Sequence, residues 1–292
     1  MYSQFFGNYL LSKQAVTSEQ LIRAIQEQHS RHLKLGTLAI HAGLMTANQV
    51  DAIVIRQTHE DKRFGELAIE EGFLTEDQVV ELLQSQTPDY LLIGQSLVDD
   101  GILTNTDLEQ LIASYLSENQ LSHLEQTAEQ QENLHALIRN LFLITVSDIP
   151  DYLIKYLNLL FNNLIRFIGE DFTPLNPTIC SEYLTTHCSS QEIVGEFPLT
   201  TYFDLTEETA IAFASRYAND EFAEYDEYVQ ASLEDFLNLH NGLFNVNISN
   251  EDSVELQLQP PASMENTMLS ASDAILLPII YPFGTLNFII KL

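Results

Sequence analysis

The segment that starts at Lys34, KLGTLAIHAGLMTANQVDAIVIRQ, is written again 29 residues later, from Arg63, as RFGELAIEEGFLTEDQVVELLQSQ. Both copies place glycine third and tenth, threonine thirteenth and glutamine last. The same ruler finds two further copies. Gly7, Gly36, Gly65 and Gly94 are in register, and so are Thr17, Thr46, Thr75 and Thr104. Gln28, Gln57 and Gln86 align, with Tyr115 in the fourth copy; Gly43, Gly72 and Gly101 align, with Gln14 in the first. A fixed period of this length means stacked supersecondary units that share a core.

Each copy reads as two short helices. The first runs from about the third-place glycine and carries apolar residues such as Leu67, Ala68 and Ile69. Gly72 stands where a left-handed residue ends a helix at no steric cost. Phe73 and Leu74 then pack inward. Thr75 is an N-cap and Gln78 completes a capping box, which Gln20 and Gln49 repeat and Asp107 replaces in the last copy. The second helix presents Val79, Leu82 and Leu83 at helical spacing.

This pattern resembles the N-terminal domain of type II secretion and type IV pilus assembly ATPases in its MshE-type form. The resemblance covers about residues 1–118. It implies a cyclic di-GMP site at Lys34, Leu35, Gly36, Gln57, Arg63, Phe64, Gly65 and Gln86. That family opens both halves with arginine followed by leucine; this chain has Lys34 in one half and Phe64 after Arg63 in the other. Copies one and four carry Phe5 and Leu92 at the basic place, which marks them as structural. The other reading of the repeats is a protein-docking scaffold.

Charge bears on where an anion could bind. The 292 residues contain 12 Lys+Arg and 42 Asp+Glu, a formal net charge of −30. Broad contact with a nucleic acid polymer is excluded, because phosphates need cations. Residues 1–63 hold seven Lys/Arg against five Asp/Glu, while the remainder holds five bases against 37 acids. An anionic small molecule therefore has its home in the N-terminal third. The opening MYSQFFGNYLL lacks a basic start and a cleavage site, no apolar run spans a bilayer, and Cys180 and Cys188 are the only cysteines. A cytoplasmic protein without membrane insertion or disulfides is the expectation.

Residues 119–142 are polar, lack Gly and Pro, and read as a connecting helix. A buried helix follows, broken by TPLNPTIC. From about Ser190 the period changes. EIVGEFPL and TTYFDLT read as strands, EETAIAFASRYAND and EYDEYVQASLEDFLNLHNG as helices, and SVELQLQP as an alternating strand. AILLPIIYPFGTLNFIIKL closes the chain as two strands around Gly284. The expected fold is all-α helix-hairpin repeats over 1–118 and an α+β domain over 143–292, its antiparallel sheet carrying helices on one face.

Within the second of the paired helices, Asp235, Asn238, Gly242 and, 23 places past the asparagine, Pro261 stand at spacings that resemble the chemotaxis phosphatases of the CheC/CheX family. The inward stripe is Val229, Leu233, Phe236, Leu237 and His240, so Asp235 and Asn238 face outward. The resemblance implies that Asp235 and Asn238 are catalytic. They would act on a phosphorylated CheY-like response regulator that supplies its own magnesium, with no metal or tightly bound cofactor in this chain. Asparagine would position water and the acid would pair with the regulator's lysine. It also implies homodimers paired through sheet edges. The family acid is usually glutamate and the residue four before it Asp or Ser; here they are Asp235 and Ala231.

Other signals lead elsewhere. His29 and His32 lack a third metal ligand, His187 and the two cysteines lack a partner base, and NDEFAEYDEYVQ reads as a solvated acidic run. Neither a Gly-rich phosphate loop nor a Ser-His-Asp signature occurs. Two functions remain: a response-regulator aspartyl-phosphate phosphatase with a sensory N-terminal part, or a non-catalytic adaptor that docks a regulator or a secretion or pilus component.

Overall fold

The computed structural model describes residues 2–27, 32–85, 88, 90–118, 128–143, 149–252 and 254–292. Gln28, His29, Arg31 and Gln86, and the stretch 119–127 of the expected connecting helix, lie outside the described residues. The chain divides into two compact units, Tyr9–Glu125 and Met1–Asn8 with Gln126–Leu292.

The first eight α-helices are α1 (Phe6–Ser12), α2 (Ser18–Glu27), α3 (Leu35–His41), α4 (Ala47–Gln57), α5 (Phe64–Glu70), α6 (Glu76–Gln84), α7 (Tyr90–Asp99) and α8 (Asn105–Glu118). Packing explains the third-place glycine. A Cβ at Gly36, Gly65 or Gly94 would stand 2.7, 3.4 or 2.6 Å from Val50, Val79 or Leu108, in each case a residue of the second helix of the same copy. At Gly36 and Gly94 only a bare Cα lets the two helices approach this closely, while at Gly65 the tighter neighbour is Leu35 of the preceding copy, at 3.2 Å. The tenth-place glycines explain the turn. Gly43, Gly72 and Gly101 have φ of +67°, +74° and +69°, and Gln14 adopts φ +55° at the matching place. The next residue returns its N–H to the helix, Leu44 to Ala39 O and Phe73 to Ala68 O, both at 2.9 Å, which closes a Schellman motif.

Capping boxes form at Thr46 with Gln49 and at Thr75 with Gln78. Thr17 with Gln20 and Thr104 with Asp107 make the same reciprocal bonds. Leu74 and Leu82 are buried, but Leu83, at helical spacing with Val79, is 66% exposed. Adjacent helical positions differ by about 100°, and α6 buries the Leu82 side.

The second unit contains α9 (Ala128–Leu143), α10 (Asp151–Phe167), β1 (Thr173–Pro174), β2 (Thr178–Leu184), β3 (His187–Gly195), β4 (Leu199–Leu205), α11 (Glu207–Ala218), α12 (Glu227–Asp252), β5 (Leu256–Leu258), β6 (Ala262–Glu265), β7 (Met268–Tyr281) and β8 (Gly284–Lys291). One antiparallel sheet runs in the order β1-β7-β8-β4-β3-β5, with β2 also on β7 and β6 also on β3. The sheet begins at Thr173, earlier than the sequence suggests, and includes three strands that the alternation did not reveal. β1 has two residues, while β2 and β6 are mostly exposed, so no apolar period marks them. α12 runs ten residues past Gly242 to Asp252, through a polar stretch whose Phe244 and Ile248 are buried.

Helices α10, α11 and α12 cover one sheet face. Leu157, Phe161, Phe213 and Phe236 meet Phe203 and Phe288 in one continuous core. The Phe203 and Phe288 rings stack at 4.6 Å across β4 and β8, and Phe213 meets Phe236 edge-on at 5.2 Å. The five residues of the expected inward stripe of α12 are all buried. Burial lowers the His240 imidazole to about 3, and Asn163 Nδ2 donates to its Nδ1 at 3.1 Å. Cys180 and Cys188 are free thiols, and burial pushes Cys188 up to about 12. No described helix is long and apolar enough to cross a membrane.

The left-handed turn yields a test. Gln14 is exposed and carries a Cβ in a conformation that costs about 1 kcal/mol for an L-residue. Gln14→Gly should raise the stability of the helical unit by about 1 kcal/mol in urea unfolding. A loss of stability would show that the turn is not strained as described.

Candidate functional site

Asp235 and Asn238 both lie exposed on α12. Three residues on a helix are about 60° apart in projection, so the two side chains leave neighbouring edges of one outward face. Each is held by a residue off its own helix. The Tyr217 hydroxyl, at the end of α11, donates to Asp235 Oδ2 at 2.6 Å. Tyr217 packs in an aromatic cluster, stacked over Phe213 at 6.2 Å and edge-on to Phe236 at 5.8 Å. Burial and the neighbouring carboxylate push its phenol well above the ordinary range, so the hydroxyl remains a donor. Glu234, the adjacent acid, turns the other way: its Oε1 accepts from Ser263 Oγ and from Gln230 Nε2, at 2.5 and 3.0 Å.

Asn238 is held from the sheet. Gln191 Nε2, on β3, donates to Asn238 Oδ1 at 2.8 Å and to the backbone oxygen of Gln259 at 2.9 Å. Gln191 Oε1 accepts from Asn241 Nδ2 at 2.8 Å, and Asn241 Oδ1 accepts from the Tyr156 hydroxyl at 2.7 Å. Tyr156 also meets Thr201 Oγ1 at 2.7 Å. Gln191, Asn241, Tyr156 and Thr201 are all buried. Sequence reasoning missed Gln191 and Tyr217, which meet their partners across 47 and 18 residues. One local signal existed: Asn241 is a polar residue on the inward stripe beside His240, and a buried carboxamide requires partners.

Around the pair the outward face is open and partly apolar. Tyr228, Leu243 and Val246 are 64%, 37% and 56% exposed, and Ala231 and Gly242 leave the helix surface low. Gly242 has no internal reason to be glycine, since a Cβ there would meet only Leu258 Cδ1, at 4.0 Å. A glycine inside a helix costs about 1 kcal/mol against alanine, and nothing in the unit explains it at this position.

In the helical unit, Lys34, Leu35, Gly36, Gln57 and Phe64 line one cleft of about 520 Å³ with Val50 and Val54. Arg63 and Gly65 are not among its lining residues, and Gln86 lies outside the described residues. Lys34 Nζ pairs with Asp99 Oδ1 at 2.5 Å. Two other cations of this region pair with acids: Arg56 meets Glu60, Glu70 and Glu71, and Lys62 meets Glu60 and Glu70. Hydrogen bonds from Arg56 and Lys62 hold the Glu60 and Glu70 carboxyls below their ordinary values. The N-terminal positive bias is therefore largely neutralised by internal pairs. Among the described residues no group of three or more His, Cys, Asp or Glu could hold a metal ion.

No family model matches the chain, and no curated protein matches it. Solved structures are similar over about half of it. A CheC-like superfamily protein from Shewanella sp. PV-4 has 16% identity and TM-score 0.43, covering 49% of this chain and 97% of that one. Chemotaxis protein CheX from Desulfovibrio desulfuricans has 16% identity and TM-score 0.42, covering 48% and 98%. A CheX–CheY–BeF3–Mg complex from Borrelia burgdorferi has 19% identity and TM-score 0.41, covering 48% and 98%. At these values the likeness stands as a likeness alone, and the functional reading rests on the side chains of α12 and their supports.

The tether on Asp235 is measurable. Tyr217→Phe should cost about 1 kcal/mol in urea unfolding, and adding Asp235→Asn should cost less than it does alone. Additive losses would mean that the hydroxyl and the carboxylate do not interact.

Proposed function

We propose that the sheet-and-helix unit docks a CheY-like response regulator and hydrolyses its aspartyl phosphate. The observation that carries this reading is the placement of Asp235 and Asn238: exposed on an outward helix face, yet each fixed from behind. Small-molecule sites are concave and bury most of their ligand. An acid and an amide on an outward face have no such enclosure and must enter a cavity that a partner supplies. The open face around them and the unexplained Gly242 support a backbone-close approach by that partner.

The chemistry is one of positioning. Water attacks the phosphorus, its oxygen forms the new P–O bond, and the aspartyl carboxylate of the regulator leaves with the bonding pair. The water proton passes to the phosphate released. Asn238 orients the reacting groups and Asp235 pairs with a cation of the regulator's acid pocket, whose magnesium belongs to the regulator. Phosphoryl transfer of this kind asks for alignment and charge stabilisation rather than covalent chemistry from the protein. Asp235 is one methylene shorter than glutamate, and the Tyr217 hydroxyl bond fixes how far it projects.

The test is phosphate release from a phosphorylated cognate regulator. Wild type should accelerate it, and Asn238→Ala should lose about 10²-fold of that acceleration. Equal rates for wild type, variant and buffer would remove the enzymatic reading and leave the docking adaptor.

A second reading concerns the helical unit. The convergence of Lys34, Leu35, Gly36, Gln57 and Phe64 on one apolar-walled cleft supports a planar anionic ligand, and the repeat motif makes cyclic di-GMP the ligand to test. Asp99 competes for the Lys34 ammonium. Calorimetry with cyclic di-GMP should give heat in the micromolar range that Lys34→Ala weakens; no heat from the wild type would end this assignment.

A further inference from the structure

We propose that Gln191 is a positioning residue that decides which end of the Asn238 carboxamide faces the partner. This rests on the reading of Asn238 as the water- and phosphoryl-orienting side chain.

The direction of every hydrogen bond in the chain beneath Asn238 follows from one atom. The backbone oxygen of Gln259 can only accept. The Gln191 side-chain atom 2.9 Å from it is therefore the amide nitrogen. That same nitrogen lies 2.8 Å from Asn238, so the asparagine atom facing it is Oδ1. The other Gln191 atom is then an acceptor, which fixes Asn241 Nδ2 as its donor at 2.8 Å. Asn241 Oδ1 in turn takes the Tyr156 proton at 2.7 Å, and the Tyr156 oxygen is left to accept from Thr201. Turning Asn238 over would set two N–H groups against each other, with Gln191 too buried for water to relieve them.

The consequence is chemical. Asn238 directs its amide nitrogen, with two N–H donors, away from the sheet. Those donors suit the oxygens of a phosphoryl group. The oxygen of the carboxamide, with one lone-pair direction taken by Gln191, is anchored. A solvent-exposed asparagine on a helix would otherwise sample several rotamers and both amide orientations, and each misoriented state would be idle in the reaction. Gln191 touches neither regulator nor phosphate and acts only through Asn238.

The experiment uses the full chain, with Gln191→Met, which keeps the volume, and Gln191→Glu, which keeps the shape but cannot donate. Side-chain ¹⁵N relaxation of Asn238 should report a rigid amide in wild type and a mobile one in Gln191→Met. With saturating phosphorylated regulator, both variants should lose about 10- to 100-fold in kcat while KM stays the same, and adding Asn238→Ala to Gln191→Met should cost little more. A wild-type Asn238 amide as mobile as that of a free asparagine overturns the proposal, whatever the variants do. So does a folded Gln191→Met with full kcat. If wild type and Asn238→Ala release phosphate equally, the phosphatase reading fails, and the relaxation comparison still decides whether Gln191 holds Asn238.

Discussion

One buried side chain, Gln191, joins the sheet, the long helix and the loop after β5. Its nitrogen serves Asn238 and the Gln259 carbonyl, and its oxygen takes a proton from Asn241. A buried carboxamide left unpaired costs about 1–3 kcal/mol, so these bonds stand or fall together. The inward stripe of α12 settles which face of the helix meets the sheet. Gln191 and Tyr217 then settle the orientation of the two outward groups, one from each flank of that helix.

The repeats obey a different constraint, which is steric. In successive copies a glycine in the first helix meets a branched side chain from the second, at Val50, Val79 and Leu108. A second glycine lets the chain leave that helix left-handed. The threonine box starts the next one. Each device is local, which is why a four-fold repeat can vary elsewhere and keep its shape. Polar positions between these devices carry the ion pairs around Arg56 and Lys62, so much of the positive charge that the sequence offers to a ligand is engaged within the unit.

What could be read from the sequence followed the same division. Turns, caps and the inward stripe of α12 depend on residues within about a helical turn or two of each other, and period and residue type disclose them. β1, β2 and β6 are short or exposed strands, and pairing with distant partners makes them strands, with no alternation to announce it. Of the candidate site, the outward pair was legible as a pair. Its supports were not, because Tyr217 and Gln191 earn their roles only once α11, α12 and β3 are folded together. Leu83 shows that helical spacing alone does not report burial, since the fold covers only the Leu82 side of α6.

The carbonyl that orients this network belongs to Gln259, whose own N–H donates to Glu192 O at 2.9 Å and which Pro260 follows. A proline disfavours the helical region for the residue before it and pushes that residue toward extended backbone. The pyrrolidine ring thus stiffens the peptide that tells Gln191 which way to point. The orientation of an exposed carboxamide on a helix is in this way anchored to backbone rigidity in a loop beneath it; under the proposed function, changes to that loop would alter turnover.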